Sequence, residues 1–309
     1  MLTPDRQSAT RDSSLFRRLY RERVDHWLIT RTIISLARLV TRNRISQLLI
    51  TLGATRRLIP GPILNRLRVI GRHQLKSPCG ASFTYLANSV DELAPNIIWR
   101  RNWESVSLEV FSELCQESRR VLDVGAYSGM YSMVAATDNC AVEIVAIEPN
   151  PRILPILKSN ISVNGFEGRV QIVEAAANDS GGSGVLYLNR DSKQASLVEG
   201  FGTTPQFQEV NVLLKTIDSI CEKYGPADLV KIDVEGAELR VLRGSISLIN
   251  RTRPTFIVEL LNVEAFSSTR TFLGKFGYGT PTHLGVDGTT KTDKWQEDPD
   301  NCNYLFSFS

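Results

Sequence analysis

The sequence is poor in the residues that build zinc sites and disulfide frameworks. It has only three histidines and five cysteines in 309 residues, and no two cysteines form a Cys-x-x-Cys pair. Zinc sites need clustered thiolates and imidazoles, so nothing here predicts one, and scattered cysteines are typical of free thiols in a reducing compartment. The cysteines are Cys79, Cys115, Cys140, Cys221 and Cys302.

Long apolar runs are also lacking. No uninterrupted apolar stretch approaches the ~20 residues that cross a bilayer. Residues 1–14 contain Asp5 and Asp12 and no apolar core, which is not the pattern of a secretory signal. The contents of apolar residues (42%) and charged residues (22%) are ordinary for a soluble protein with a full core. We therefore expect a cytoplasmic globular protein.

Acidic residues are rare at the N-terminus. Residues 1–76 contain 15 Arg and 1 Lys against 4 acidic residues, a net +12, so the rest of the chain carries −9 of the overall +3. This division predicts a basic extension over 1–76 and a main domain over 77–309. From His26 to Leu52 apolar residues recur at helical spacing with arginines between them, which predicts a basic amphipathic helical region. Such a helix either packs on the domain, the alternative we favour, or lies on an anionic membrane.

The segment Val121–Gly129 is typical of a buried strand, a glycine turn and the start of a helix. Gly125 and Gly129 let the backbone pass close to a ligand at the helix N-terminus. The spacing is not Gly-x-Gly-x-x-Gly, because Tyr127 stands where that dinucleotide motif has its second glycine. Asp123, inside the strand, repels a phosphate but accepts hydrogen bonds from an ammonium group. A cationic cofactor without a phosphate, such as S-adenosylmethionine, therefore fits better than a dinucleotide.

Three further apolar strands end in acidic residues. Strand tips are where open α/β sheets place their sites, and an acid after the second strand suits a ribose diol. The alternation of strands and helices over residues 121–261 predicts an α/β fold. The acids are Glu148 after 143–147, Asp233 and Glu235 after 229–232, and Glu259 near the end of 254–260.

Taken together, these motifs resemble those of the FkbM-type S-adenosylmethionine-dependent methyltransferases over residues 85 to 309. The set is specific, although each motif alone gives modest support. At the position of Tyr127 the family usually has a small amide residue. The motifs are Asp123–Gly129, Ile147–Asn150, Asn160, Asn164-Gly165, Lys231–Glu238, Arg253-Pro254, Val258–Leu260 and Gly277-Tyr278, with Trp99–Glu104 and Asn303–Ser307 resembling the beginning and the end of the family's fold.

The resemblance implies a Rossmann-like class I methyltransferase fold. This is a mostly parallel seven-stranded sheet with helices on both faces and antiparallel closing strands, here preceded by the N-terminal helical extension. Residues 76–90 have the pattern of strands leading into this domain. The glycine-rich insertion 180–212 predicts a strand pair and a mobile loop near the acceptor, and residues 239–248 predict one helical run.

The resemblance also implies which residues contact S-adenosylmethionine. They form the turn around its methionine part, hold its ribose hydroxyls, bound its adenine and face its methyl group. Each has a structural alternative, since glycines can simply make turns, strand-end acids can cap helices and alanines can only pack. In the same order the residues are Gly125, Ala126 and Gly129, with Asp123 ordering the turn and the amino end; Glu148; Ala175 and Ala176; and Asp233, with Glu104 closing the site from the N-terminal side. Tyr127, Pro149 and Asn150, which adjoin these residues, are further cofactor-binding candidates.

Methyl transfer from a sulfonium needs mainly in-line positioning and a deprotonated acceptor. For a hydroxyl acceptor the protein supplies a general base or a metal. The candidates are Asp233, Glu235, Glu259 and His283, the last in a glycine- and threonine-rich loop. Asp233 and Glu235 share a face if the strand continues, or they cap the next helix, and His283 is otherwise a surface residue of its loop. The acids could hold a divalent ion through their oxygens, but we expect no metal.

The predicted function is O-methylation of a hydroxyl on a sugar, polyketide or other small or glycan acceptor, as the resemblance implies. Nucleic acid is disfavoured as a partner because the acidic main domain repels phosphates, although the basic arm could bind them. The main alternative is a catalytically silent interaction protein with the same fold, and a nicotinamide oxidoreductase is a weaker one. The intact glycine turn and strand-end acids favour an active transferase.

Overall fold

The computed structural model describes residues 69–88, 90–100, 103–189, 195–198, 207–298 and 301–308. The chain divides into two units, residues 1–69 and 70–309. The predicted helical region from His26 to Leu52, with its alternatives of packing and membrane binding, lies outside the described residues. No helix within the described ranges is both long and apolar enough to span a bilayer.

The main unit begins with a β-hairpin. Strand β1, Gly71–Lys76, pairs antiparallel along its whole length with strand β2, Ser82–Ala87. The division between the two units falls after residue 69, and pairing with β2 places β1 in the second unit. The predicted boundary between the basic extension and the main domain, at 76/77, stays a prediction. A short π-helical turn follows at Asn96–Arg100.

Strands and helices then alternate, as the sequence predicts, and the predicted strands at 143–147 and 170–173 are confirmed. In chain order the remaining elements are α1 Ser105–Glu117, β3 Arg120–Val124, α2 Met130–Asp138, β4 Glu143–Ile147, α3 Leu154–Val163, β5 Val170–Val173, β6 Ala176–Ala177, β7 Gly182–Asn189, β8 Ala195–Ser196, β9 Phe207–Lys215, α4 Ile217–Tyr224, β10 Leu229–Ile232, α5 Glu238–Arg243, α6 Ile246–Thr252, β11 Thr255–Glu259, α7 Val263–Gly274, β12 Thr282–Gly285, β13 Gly288–Lys291 and β14 Asn303–Phe306.

The main sheet has the strand order β13-β12-β14-β11-β10-β3-β4-β5. The five strands from β11 to β5 are parallel, and β14, β12 and β13 pair antiparallel. The predicted α/β fold with a mostly parallel sheet and antiparallel closing strands is confirmed, but the sheet has eight described strands instead of the predicted seven. The additional strand is β13, which forms because Gly288, with a φ of 125°, lets the chain fold back onto β12.

A second sheet has the order β6-β9-β7-β8. Strands β7 and β9 pair antiparallel from Gly182 opposite Leu214 to Asn189 opposite Phe207, so the strand pair predicted in the 180–212 insertion is confirmed. The loop predicted in the same insertion falls largely on residues 190–194 and 199–206, outside the described residues.

The predicted helical run over 239–248 is wrong, because α5 and α6 are separate helices. The break falls at Gly244, where a Cβ atom would lie 2.2 Å from the backbone oxygen of Asn178. The Gly244 carbonyl also accepts the Asp218 N–H at 2.9 Å. Contact with two other segments therefore interrupts the helix.

Helices cover both faces of the main sheet, and the alternation of side chains along β3 shows this. Leu122 and Val124 join a buried cluster that includes side chains from α4, α5 and α7. Asp123, between them in sequence, points to the opposite face and is hydrogen-bonded to Ser132 of α2. The carboxyl ends of the central strands therefore lie at one edge of the sheet, with a layer of helices on either side.

Candidate cofactor and catalytic site

The glycine turn lies at the carboxyl ends of neighbouring parallel strands. Gly125 has a φ of 83°, and its N–H donates to the Ile147 carbonyl at 2.9 Å. A Cβ atom on Gly125 would lie 1.7 Å from the Asp233 carbonyl oxygen, and one on Gly129 would lie 2.6 Å from the Leu157 side chain. Only glycine combines this backbone conformation with so close an approach. The turn is therefore held between β4, β10 and α3.

Tyr127 has a left-handed backbone conformation in this turn, with a φ of 49°. Such a conformation is costly for a bulky residue and is found where the surroundings enforce it. The Tyr127 N–H donates to Glu148 Oε2 at 2.8 Å, and its hydroxyl accepts the Glu92 N–H at 3.2 Å. These two bonds tie the turn to the tip of β4 and to the loop after β2, and so offset the strain.

Removing only the Tyr127 hydroxyl is expected to loosen the turn. Tyr127→Phe leaves the Glu92 N–H without this acceptor, which costs about 1 kcal/mol of unfolding free energy. Urea unfolding of the variant measures this loss, and Tyr224→Phe, which removes a hydroxyl at the end of α4, is the control. An unchanged unfolding midpoint in Tyr127→Phe would show that the bond to Glu92 does not support the turn.

Glu148 follows β4, and the backbone fixes its carboxylate. The residue is 5% exposed, and its Oε2 and Oε1 accept the N–H groups of Tyr127 and Asn150, each at 2.8 Å. Burial raises the pKa of Glu148 to about 7, although the two backbone hydrogen bonds oppose the shift. Each carboxylate oxygen retains a further lone pair, so the group can accept both hydrogens of a diol. This geometry suits the predicted ribose contact.

Asn150 has a buried amide nitrogen that is without a partner among the described residues. Its Oδ1 accepts the Arg152 N–H at 3.0 Å, which leaves Nδ2 as the free end beside Glu148 and Pro149. A buried donor without a partner in a native protein requires an explanation, such as a ligand.

The two residues predicted to bound the adenine are both buried. Ala175 belongs to the buried core cluster, and Ala176 begins β6. Their burial favours the packing alternative.

Asp123 anchors the helix that follows the turn. Its Oδ2 accepts both the N–H and the hydroxyl of Ser132, at 3.0 and 2.6 Å. Burial raises the pKa of Asp123 to about 6, and the bond from the Ser132 side chain opposes this. The carboxylate therefore links β3 to the first turn of α2, which follows the glycine turn.

The hairpin is attached to the outside of the glycine turn by buried polar groups. Asn160 in α3 and Asn164 directly after it lie one helical turn apart, and their amides bond to the backbone of Leu86 and Thr84 in β2 at 2.6 to 2.8 Å. The Nδ2 of Asn160 donates to the Ser128 carbonyl at 2.8 Å. The Tyr85 hydroxyl contacts Ser128 Oγ at 2.7 Å and donates to Asp91 at 2.6 Å. These contacts explain the positions of both asparagines in the motif set.

Three carboxylates distant in sequence meet beside the turn. One oxygen each of Glu104, Asp233 and Glu259 lies within 4.8 Å of the other two. Glu104 precedes α1 with a left-handed φ of 46°, and its Oε2 accepts the Tyr131 hydroxyl at 2.6 Å and Asn303 Nδ2 at 3.0 Å. Burial raises the pKa of Glu104, and burial together with the charge of Asp233 raises that of Glu259 well above its usual value. We call this group the carboxylate cluster.

Lys231 lies among these carboxylates and was not predicted as a site residue. Its ammonium is 3.6 Å from Asp233 Oδ2 and 5.1 Å from the centre of the Tyr131 ring. Burial alone lowers the pKa of Lys231, but the charges of Asp233, Glu104 and Glu259 outweigh it and raise the pKa above its usual value. The sequence signal that could have identified Lys231 is a lysine inside an otherwise apolar strand, because a buried lysine needs a charged partner.

The predicted shared face of Asp233 and Glu235 is wrong. Strand β10 ends at Ile232, and Glu235 has a left-handed φ of 54°, so the two side chains do not alternate along a strand. The capping alternative is not realised either, since α5 is preceded by Ala237 without a side-chain cap. Burial and the charge of Asp233 raise the pKa of Glu235 to about 8. Its carbonyl accepts the Ser196 hydroxyl at 2.7 Å, which joins the insertion to this loop.

His283 lies in strand β12 and is buried, so its predicted loop position is wrong. Its Nε2 donates to the Asn301 carbonyl at 3.0 Å, and its ring packs on Tyr304. In that tautomer only Nδ1 can accept a proton, and a Cβ atom on Gly285 would lie 3.0 Å from it. Among the described residues, hydrogen bonds connect His283 to Glu104 of the carboxylate cluster through Asn301 and Asn303.

Comparison with known proteins gives one family match. The family model described as "Methyltransferase FkbM domain" matches residues 123–279, just over half of the chain. The methyltransferase sdnD of Sordaria araneosa is 24% identical over 189 residues, which are 50% of this chain and 73% of that protein.

Solved structures give weaker similarities. The methyltransferase FkbM of Methylobacillus flagellatus KT has a TM-score of 0.41 at 14% identity and covers 72% of this chain, whereas this chain covers only 56% of that structure's length. A SAM-dependent methyltransferase from Agrobacterium tumefaciens has a TM-score of 0.42 at 14% identity, over 78% of this chain and 70% of that one.

Proposed function

The chain belongs to the methyltransferase FkbM domain family, as its motifs predict, and we propose that it transfers the methyl group of S-adenosylmethionine to a hydroxyl group. The proposed acceptor is a sugar, a polyketide or another small or glycan hydroxyl compound. The observation that carries the proposal is the Glu148 carboxylate, which the backbone fixes on both oxygens at the tip of β4, beside a turn that only glycine can form.

The residues present fit this cofactor on two points. The absent Cβ atoms of Gly125 and Gly129 let the turn pack directly against the Asp233 carbonyl oxygen and the Leu157 side chain, which fixes its backbone at the carboxyl ends of the strands. Asn150 Nδ2, which has no partner among the described residues, offers a donor group, and the second lone pairs of the Glu148 carboxylate offer two acceptors. Glu148 and Asn150 would therefore hold the ribose, and the turn from Gly125 to Gly129 would hold the methionine part.

When bound, S-adenosylmethionine supplies a methyl group on a positively charged sulfur, already activated for transfer. The chain's own task is to hold the acceptor hydroxyl in line and to take its proton. We assign the proton to Glu259, because its partly exposed carboxylate lies within 4.8 Å of those of Asp233 and Glu104, and desolvation together with the charge of Asp233 raises its pKa, which favours proton uptake. Asp233 and Glu104 would orient the hydroxyl, since both present carboxylate oxygens within 4.8 Å of Glu259.

The first experiment is a calorimetric titration of the purified protein with S-adenosylmethionine, S-adenosylhomocysteine and NAD in parallel. We expect binding of both sulfur ligands and none of NAD, because the turn lacks the second glycine of a dinucleotide site. An assay of labelled methyl transfer to sugars, polyketides and glycans then identifies the acceptor. A folded protein that binds neither sulfur ligand would overturn the proposal and favour the silent interaction protein.

A further inference from the structure

Lys231 is a buried positive charge at the point where negative charges converge. It is 1% exposed, in the middle of β10, which lies between the central strands β3 and β11. Its ammonium is 3.6 Å from Asp233 Oδ2, and it also contacts the Ile232 carbonyl at 3.4 Å and the face of the Tyr131 ring. A side chain in this position cannot turn out to solvent without disrupting the sheet.

The carboxylate cluster needs such a charge. Carboxylates that lie within 4.8 Å of one another repel, so they take up protons unless a cation is close. Among the described residues, Lys231 is the cation whose charge acts on both Glu104 and Glu259 and which is paired with Asp233. Tyr131 adds a link, because its ring receives the ammonium and its hydroxyl donates to Glu104.

The cluster is also joined to the glycine turn through one residue. The Asp233 N–H donates to the Val124 carbonyl at 2.9 Å, and its own carbonyl oxygen forms the wall against which Gly125 packs. A shift of Asp233 would therefore move the backbone beside the turn.

We propose that the Lys231 ammonium is the resident cation of the carboxylate cluster, in the role that a divalent ion would otherwise fill, and that through Asp233 it positions the cofactor turn. The inference rests on the proposed function, since it concerns the same site. It makes Lys231 a positioning residue, and it explains how three carboxylates can lie within 4.8 Å of one another.

The test uses Lys231→Met and measures two quantities, the affinity for S-adenosylhomocysteine and the binding of Mn²⁺ followed by the loss of its free EPR signal. We expect the wild-type cluster to take up no Mn²⁺. Lys231→Met is expected to bind S-adenosylhomocysteine about tenfold more weakly, to gain a Mn²⁺ site, and to recover part of its ligand affinity when Mn²⁺ is added. Lys231→Arg should recover affinity without Mn²⁺. The matched control is Lys223→Met, which removes a lysine over a tyrosine ring at the end of α4.

Two results would overturn the inference: Mn²⁺ binding by the wild type that disappears in Glu104→Gln, or unchanged ligand affinity in Lys231→Met. If Lys231→Met does not fold, the double variant Lys231→Met/Glu104→Gln removes one charge of each sign. It is expected to fold and to bind S-adenosylhomocysteine, and failure to fold there would contradict the charge argument. A wild type that does not bind S-adenosylhomocysteine at all would instead contradict the proposed function.

Discussion

Gly125→Ala is expected to abolish cofactor binding and to destabilise the protein. Residue 125 has a φ of 83°, and the new methyl group would lie 1.7 Å from the Asp233 carbonyl oxygen, which is a backbone atom that cannot rotate away. The left-handed conformation alone costs an alanine about 1–2 kcal/mol, and overpacking typically costs a further 1–3 kcal/mol, so we expect a loss of about 2 kcal/mol or more. Relief of the overlap requires β3 and β10 to separate at their carboxyl ends, where the ligand would lie.

Thermal unfolding and titration with S-adenosylhomocysteine measure the two effects on the same sample. The control is Gly168→Ala, because a Cβ atom on Gly168 meets nothing within 4 Å and its backbone is not left-handed. We expect the control to match the wild type in both measurements. Normal ligand affinity in a folded Gly125→Ala variant would show that the turn is not part of the cofactor site.

The strands of the main sheet and the acids at their ends could be predicted from sequence because both signals are local. Apolar runs of four or five residues between turn residues predicted β4, β5 and β10, and the acids follow at fixed distances. The helix break at Gly244 could not be predicted, since its cause is the approach of Asn178, a residue far away in the sequence. Nor did the sequence reveal that Tyr127 relies on the backbone of Glu92.

The carboxylate cluster shows the same limit within the site. Asp233 directly follows β10 and Glu259 ends the adjacent parallel strand β11, so their proximity follows from the predicted sheet. Glu104 joins them through the left-handed backbone before α1, and Lys231 joins them from inside the sheet, and neither placement has a periodic signal. The pattern of alternating acids does not place Glu235 correctly, because the strand ends at Ile232 and Glu235 itself has a left-handed backbone conformation.

Glu148→Ala is expected to weaken binding of S-adenosylhomocysteine about 100-fold, which corresponds to about 3 kcal/mol. In the proposed complex the alanine removes a charged acceptor from two ribose hydroxyls. It also leaves the N–H groups of Tyr127 and Asn150 without their acceptor, so the turn itself loosens. The matched control is Glu174→Ala, because Glu174 follows the adjacent strand β5 but is exposed and paired with Lys158 on the surface. Equal affinities in the two variants would place the ribose elsewhere.

The same carboxylate makes a prediction about pH. Burial raises the pKa of Glu148 to about 7, and the ionised form is the one that accepts two hydroxyl hydrogens, so protonation competes with binding. Affinity for S-adenosylhomocysteine should therefore fall as the pH falls through this pKa, by about tenfold between pH 8 and pH 6.

Glu148→Gln cannot ionise, so its lower affinity should lose this part of the pH dependence, whereas Glu174→Ala should keep the wild-type profile. Asp123, with a pKa raised to about 6, titrates in part of the same range, but its charge remains in both variants, so the difference between their profiles belongs to Glu148. A pH dependence in Glu148→Gln as steep as in the wild type would assign the titration to another group and would remove the main support for ribose binding by this carboxylate.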